Sequence, residues 1–230
     1  MINKKSVFTV IFISVFITIT YAQESILTAA DFFKGISEYY GTIKEYEADM
    51  KIQAGKNFME GRVSFKRPNL LRIDFSDPET QVLVFNGDIL TIYLPGPQAT
   101  LNQSVQSEGS GMSGANLATP LGLQLMSRYY TISYLSGQEP VPINEEDSAS
   151  EKVIKLVLTR RTTSEGFEKI FLSINPTSKL IRRVEATSVT GQSFKFDFSG
   201  YLLNNNIPDT RFIYDAPSSA NKYNNFFYSE

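Results

Sequence analysis

The stretch GRVSFKRPNLLRIDFSDPETQVLVFNGD, residues 61–88, decides the fold. Val63 and Phe65 alternate with polar neighbours, and Pro68 then interrupts, because proline cannot donate to a central ladder. Leu71, Ile73 and Phe75 alternate with Arg72 and Asp74, so a second strand has one apolar and one solvated face. Ser76-Asp77-Pro78-Glu79 is a turn, Gln81 to Phe85 a third strand, and Asn86-Gly87 a two-residue hairpin signal. Short strands at regular spacing joined by tight turns make an antiparallel meander.

The same period runs outward on both sides. Upstream, Tyr46, Ala48, Met50 and Ile52 alternate, and Ala54-Gly55-Lys56-Asn57 turns the chain into a return strand, Met59 to Lys66. Before them Phe32, Phe33, Ile36, Tyr39 and Tyr40 recur at helical spacing. Thr28 and Asp31 form a capping pair, which predicts an amphipathic helix over 28–40 ending near Gly41. Downstream, Ile89 to Leu94 is a strand stopped by Pro95-Gly96-Pro97. Ser107 to Asn116 has no apolar period and reads as a loop. Pro120 suits a first helical position, and Leu121, Leu123, Leu125 and Met126 follow it in a short helix. Tyr129 to Leu135 either continues that helix or forms a strand, and Gly137 to Ser150 reads as a linker. Strands return at Lys152–Arg161, Glu168–Ile174, Leu180–Val189 and Gln192–Tyr201, with Phe194, Phe196 and Phe198 on one face of the last. Arg211 to Tyr214 reads as a final short strand, and the polar tail 216–230 is expected to lie over the surface. The pattern predicts about ten antiparallel strands.

At the N-terminus, Lys4 and Lys5 precede an apolar run from Val7 to Ile19, and Thr20-Tyr21-Ala22 offers small residues for cleavage. This is the layout of a secretory signal peptide over residues 1–22, with one domain over 23–230. The apolar run is short of the roughly 20 residues that span a bilayer. Removing it moves the formal charge from −2 to −4, since Lys4 and Lys5 leave with it. A mildly acidic chain without a basic cluster argues against nucleic acid as a partner.

The chain has no histidine, cysteine or tryptophan. Most nucleophilic triads and transition-metal sites draw on histidine or cysteine, and no phosphate-binding glycine loop is present. Paired carboxylates alone can hydrolyse glycosides, but Asp74, Asp77, Glu79, Asp88, Glu145, Glu146 and Asp147 fall in turns or on outward strand faces. No catalytic residue, metal or cofactor is predicted. What the chain has in excess is apolar and aromatic strand faces. These fit either the core of a closed sandwich or barrel, or the wall of a cavity that holds acyl chains; the pattern alone does not separate the two.

Residues 61–88 also resemble the core of the LolA family, the periplasmic carriers of outer-membrane lipoproteins. The resemblance rests on a glycine-started strand, a Lys66-Arg67-Pro68 corner, the strand Leu71–Phe75, a proline-containing turn and a strand ending in Asn86-Gly87. It continues through Tyr93-Leu94-Pro95 and Gln98-Ala99-Thr100, over about 40 residues, and Phe212 to Pro217 is similar to the strand that closes such domains. The resemblance implies a mainly β fold: an incomplete, half-open antiparallel barrel of about eleven strands with short helices as a lid. It implies a periplasmic protein that takes acylated lipoproteins from an ATP-driven releasing complex in the inner membrane and passes them to an outer-membrane acceptor. Arg67 matches the arginine that bonds to the lid and controls opening. Leu71, Ile73 and Phe75 match the cavity-facing strand, and Val63 and Phe65 join the cavity wall because they share the face of Arg67 by strand parity. Leu121, Leu125 and Met126 are lid candidates, and Phe194, Phe196 and Phe198 are placed on the far wall. A monomer is expected. Two further readings stay open on this scaffold: a lipid-binding or lipid-sensing envelope protein that transfers no lipoprotein, and an envelope regulator that binds a protein partner.

Overall fold

The computed structural model describes residues 27–104 and 119–225. The expected signal peptide and the expected loop over 107–116 lie outside the described residues. Helix α1 spans Ala29–Thr42. Its start is fixed by Thr28, whose Oγ1 accepts from Asp31 N at 3.1 Å and donates to Asp31 Oδ2 at 2.6 Å. Six strands follow: β1 (Glu45–Ala54), β2 (Asn57–Lys66), β3 (Leu70–Asp77), β4 (Val82–Phe85), β5 (Ile89–Leu94) and β6 (Ala99–Ser104). Helix α2 (Pro120–Tyr129) begins with Thr119 as its cap and Pro120 in its first turn. It runs directly into β7 (Tyr130–Tyr134), so the ambiguous segment is a strand. The expected linker holds a two-residue strand, β8 (Val141–Pro142), and turns. Then come β9 (Lys152–Arg160), β10 (Phe167–Ile174), β11 (Ile181–Ser188), β12 (Ser193–Leu203) and β13 (Asn221–Asn224).

All these strands join one open sheet in the order β13-β6-β5-β4-β3-β2-β1-β12-β11-β10-β9-β7, with β8 beside β9. The N-terminal meander and the C-terminal meander meet at β1 and β12, where Tyr46 lies opposite Leu203 and Ile52 opposite Phe196. The fold is mainly β and the sheet does not close, as the half-open barrel reading expected. Among the described residues no helix is long and apolar enough to cross a membrane.

Two expectations for the C-terminal region are corrected. Arg211 to Tyr214 is not a strand: Asp209–Phe212 forms a 3-10 turn, and the chain beyond is irregular. Phe212 is buried there, and the carbonyls of Arg211 and Ile213 accept from the Arg72 guanidinium at 3.1 and 3.4 Å instead of joining a ladder. Arg211 also pairs with Asp74, and Tyr214 sits against Tyr93, with Arg72 over its ring. This strap covers the outer face of β3 to β5, which explains why Val82 and Val84, opposite the outward residues Asp74 and Arg72, are buried. The tail beyond it does not simply lie on the surface, because residues 221–224 pair in parallel with β6.

Candidate functional site

Strand parity builds the concave wall. Val63 and Phe65 on β2 lie opposite Ala48 and Tyr46 on β1, and opposite Ile73 and Leu71 on β3. All six are buried in one core, together with Phe75. The same face continues through Phe85 and Leu83, opposite Leu71 and Ile73, then Leu90 and Ile92 on β5 and Leu101 on β6. Leu83, Phe85, Leu90, Ile92, Leu94 and Leu101 are only half-buried. In the other direction Phe198, Phe196 and Phe194 stand opposite Met50, Ile52 and Ala54. Phe198 is buried, while Phe194 and Phe196 pack against the core with partial exposure. The apolar wall therefore runs unbroken across the sheet, fully covered in its middle and half covered over β4 to β6.

The cover is the two helices. From α1, Phe33, Ile36 and Tyr40 are buried against the wall, and from α2, Leu123 and Met126. Three-residue spacing places Leu123 and Met126 on one side of α2, whereas Leu121, two residues from Leu123, points the opposite way. Leu121 is 49 % exposed, so it does not line the interior; Leu125 is half-buried. Leu123, placed in the helix from sequence, was not among the site candidates, although its offset from Met126 carried the signal. The middle of the wall is thus occupied by the protein's own helices, and a ligand there has to displace them.

Arg67 sits where β2 leaves the sheet and reaches the last turn of α1. Its Nε donates to Ile43 O at 2.9 Å, and its Nη2 donates to Tyr40 O at 3.4 Å and to Gly41 O. Carbonyls at a helix C-terminus lack intrahelical donors, and the helix dipole places negative charge there, so a guanidinium is suited to hold this end. Arg62 and Arg72, indistinguishable from Arg67 by residue type, touch neither helix. Arg62 pairs with Asp49 at 2.7 Å and Glu47 at 3.6 Å, and Arg72 with Asp74 at 2.7 Å.

A second tether was not read from the sequence. The Tyr40 hydroxyl, on the same last turn of α1, accepts from Ile181 N at 3.0 Å, and Tyr201 donates to Ile181 O at 2.8 Å. Burial pushes Tyr40 up to about 12, against the opposing effect of the Ile181 bond, so the hydroxyl stays protonated over the physiological range. The end of α1 is therefore held from β2 by Arg67 and from β11 by Tyr40. At its other end, Tyr134 donates to Leu27 O at 2.9 Å.

An open groove of about 400 Å³ beside Arg67 is lined by the charged and amide residues Lys44, Glu45, Lys66, Arg67, Asn204 and Asn206. Among the described residues no group of three or more His, Cys, Asp or Glu is placed to hold a metal ion. The chemistry on offer is apolar burial under a tethered helix.

Residues 48–129 match the model of one family, outer membrane lipoprotein carrier protein LolA. Over these residues the chain is similar to LolA. The matched segment runs from β1 to the end of α2 and so includes Arg67 and the half-covered wall of β4 to β6. Among solved structures, an uncharacterized conserved protein from Thermus thermophilus superposes over 85 % of this chain and 98 % of its own, with a TM-score of 0.54 at 13 % identity. A LolA superfamily protein from Nitrosomonas europaea covers 81 % of this chain and 98 % of its own, at a TM-score of 0.42 and 15 % identity. The lipoprotein LppX of Mycobacterium tuberculosis covers 76 % and 95 %, at 0.47 and 11 %. No curated protein matches the sequence. At 13 % identity the likeness to the Thermus thermophilus protein shows the fold alone.

Proposed function

We propose that this protein is a periplasmic carrier that shields the acyl chains of lipoproteins on its concave wall while they move from the inner to the outer membrane. The observation that carries the reading is the unbroken apolar face from Phe198 to Leu101, half covered at one end and lidded by helices in the middle. Each methylene taken from water contributes about 0.8 kcal/mol, so two or three acyl chains supply enough to move a helix aside. That displacement offsets part of the gain, which keeps binding reversible. The family description supports binding rather than catalysis. In this reading residues 1–22 direct export, an ATP-driven complex in the inner membrane supplies cargo, and an outer-membrane acceptor removes it.

The purified protein is expected to release a labelled lipoprotein from inner-membrane vesicles in soluble form, and Arg67→Leu to take it up but not pass it on. If no lipoprotein is released but extraction of natively purified protein yields a stoichiometric phospholipid or glycolipid, the protein binds lipid without transferring lipoprotein.

A further inference from the structure

The half-covered wall ends at β6, and β6 would be the edge of the sheet were it not for β13. That strand differs from the rest. Among the described strands it alone pairs in parallel, Asn221 opposite Ala99 through Asn224 opposite Asn102. All four of its side chains are exposed. Its attachments are the ladder, Asn221 N to Gln98 O at 2.8 Å, Asn225 N to Asn102 O at 2.7 Å, and one amide pair, Asn102 Nδ2 to Asn224 Oδ1 at 3.1 Å. The chain upstream is independently fastened by buried Phe212 and by Arg211 on Asp74, so β13 can leave without loosening the strap.

We propose that the β6 edge is a docking site for the cargo's own polypeptide: the extended segment that follows the acylated residue pairs along Ala99–Ser104 in place of β13. This rests on the carrier reading above. Acyl chains laid on Leu83, Phe85, Leu90, Ile92 and Leu101 place their attachment point at the border of this wall, and β6 is its outermost strand. A peptide leaving there carries unpaired backbone N–H and C=O groups, which an open sheet edge satisfies by adding a strand. β13 already shows that this edge accepts a short extended segment held by its main chain. The resident strand buries none of its side chains, so a peptide tethered by its lipid replaces it with little lost packing. A phospholipid has no such segment, and the edge would therefore separate lipoproteins from free lipids.

The test uses the full mature chain and its Asn221→Pro variant, in which the 2.8 Å donor to Gln98 O is removed. Affinities are measured for two synthetic ligands with identical acylated cysteines, one ending there and one extended by six residues, and for a long-chain fatty acid. The extended ligand is expected to bind about tenfold tighter than the short one to the wild type, the equivalent of one or two net backbone hydrogen bonds. The ratio is expected to widen in Asn221→Pro, and amides of residues 99–104 to stay protected from hydrogen exchange in the extended complex of that variant. Equal affinities for the two ligands, or a ratio that narrows in the variant, overturn the docking site while leaving acyl binding intact. Failure to bind any of the three ligands overturns both this inference and the carrier reading.

Discussion

Gly61 shows how narrow the tolerance of the wall is. A Cβ at this position would come within 2.5 Å of Asp74 O and 3.0 Å of Phe75 Cα, both backbone atoms that cannot swing away. Gly61→Ala is expected to destabilise the protein by about 2 kcal/mol, read as a lower denaturant midpoint at unchanged slope. Arg67 is expected to act on opening instead. Its three contacts exist only while α1 is seated, so their loss shifts the population toward the open form. In Arg67→Leu, amides of residues 29–43 are expected to exchange faster and a long-chain fatty acid to bind about tenfold tighter; unchanged exchange there would remove Arg67 from control of the lid. Arg67→Lys is expected to fall between the two, since a lysine keeps the charge without the fork. The Lys-Arg-Pro corner made Arg67 legible, whereas nothing in the pattern marks Tyr40 as anything but core, because its partner is a backbone amide 141 residues away.

Among the elements, α2 offers the cleanest contrast. Leu123→Ala is expected to cost about 2–4 kcal/mol, while Leu121→Ala should change stability by less than about 0.5 kcal/mol, measured by the same unfolding series. A reversed order would mean that α2 seats on its other face. The alternating strands β1 to β5 and β9 to β12 were readable from their apolar alternation, which in β5 marks a face that is only half-buried. The residues that escaped reading share a different property. β6 and β13 are polar and short, and their pairing depends on what lies beside them, not on their own periodicity. The segment 211–214 looks like a strand by composition, yet the turn over Asp209–Phe212 and the inward side chain of Phe212 bend it into a strap, and that follows only once Arg72 and Asp74 stand opposite it. The inner face of β4 to β6, with Leu83, Ile92 and Leu101, was hidden by its own regularity, since nothing local says that the helices stop short of it.

At the scale of the molecule, the half-covered wall predicts a separation of binding from stability. Ile92→Glu is expected to abolish fatty-acid binding while lowering the melting temperature only modestly, because residue 92 is half-exposed; retained affinity would place the ligand elsewhere. With no histidine or cysteine in the chain, no side chain has an ordinary titration between pH 5 and 8. Burial pushes Tyr40 and Tyr130 up to about 12 and also raises Tyr46 and Tyr201. Unfolded tyrosines ionise near 10, so the native state retains protons that the unfolded chain gives up. The stabilisation by these buried hydroxyls is complete below about pH 10 and is lost as pH rises towards about 12. Denaturant midpoints at pH 7, 8.5 and 11.5 are expected to agree at the first two and fall at the third.

The seam between β1 and β12 has a kinetic side. Residues near 50 wait for residues near 200 before the two meanders can join, and α1 waits for β11 before Tyr40 finds its amide. Contacts so distant along the chain slow folding. A chain emerging in order therefore passes through an interval in which its N-terminal meander exists with its oily side bare. During that interval the bare apolar wall is open to clumping with its own kind.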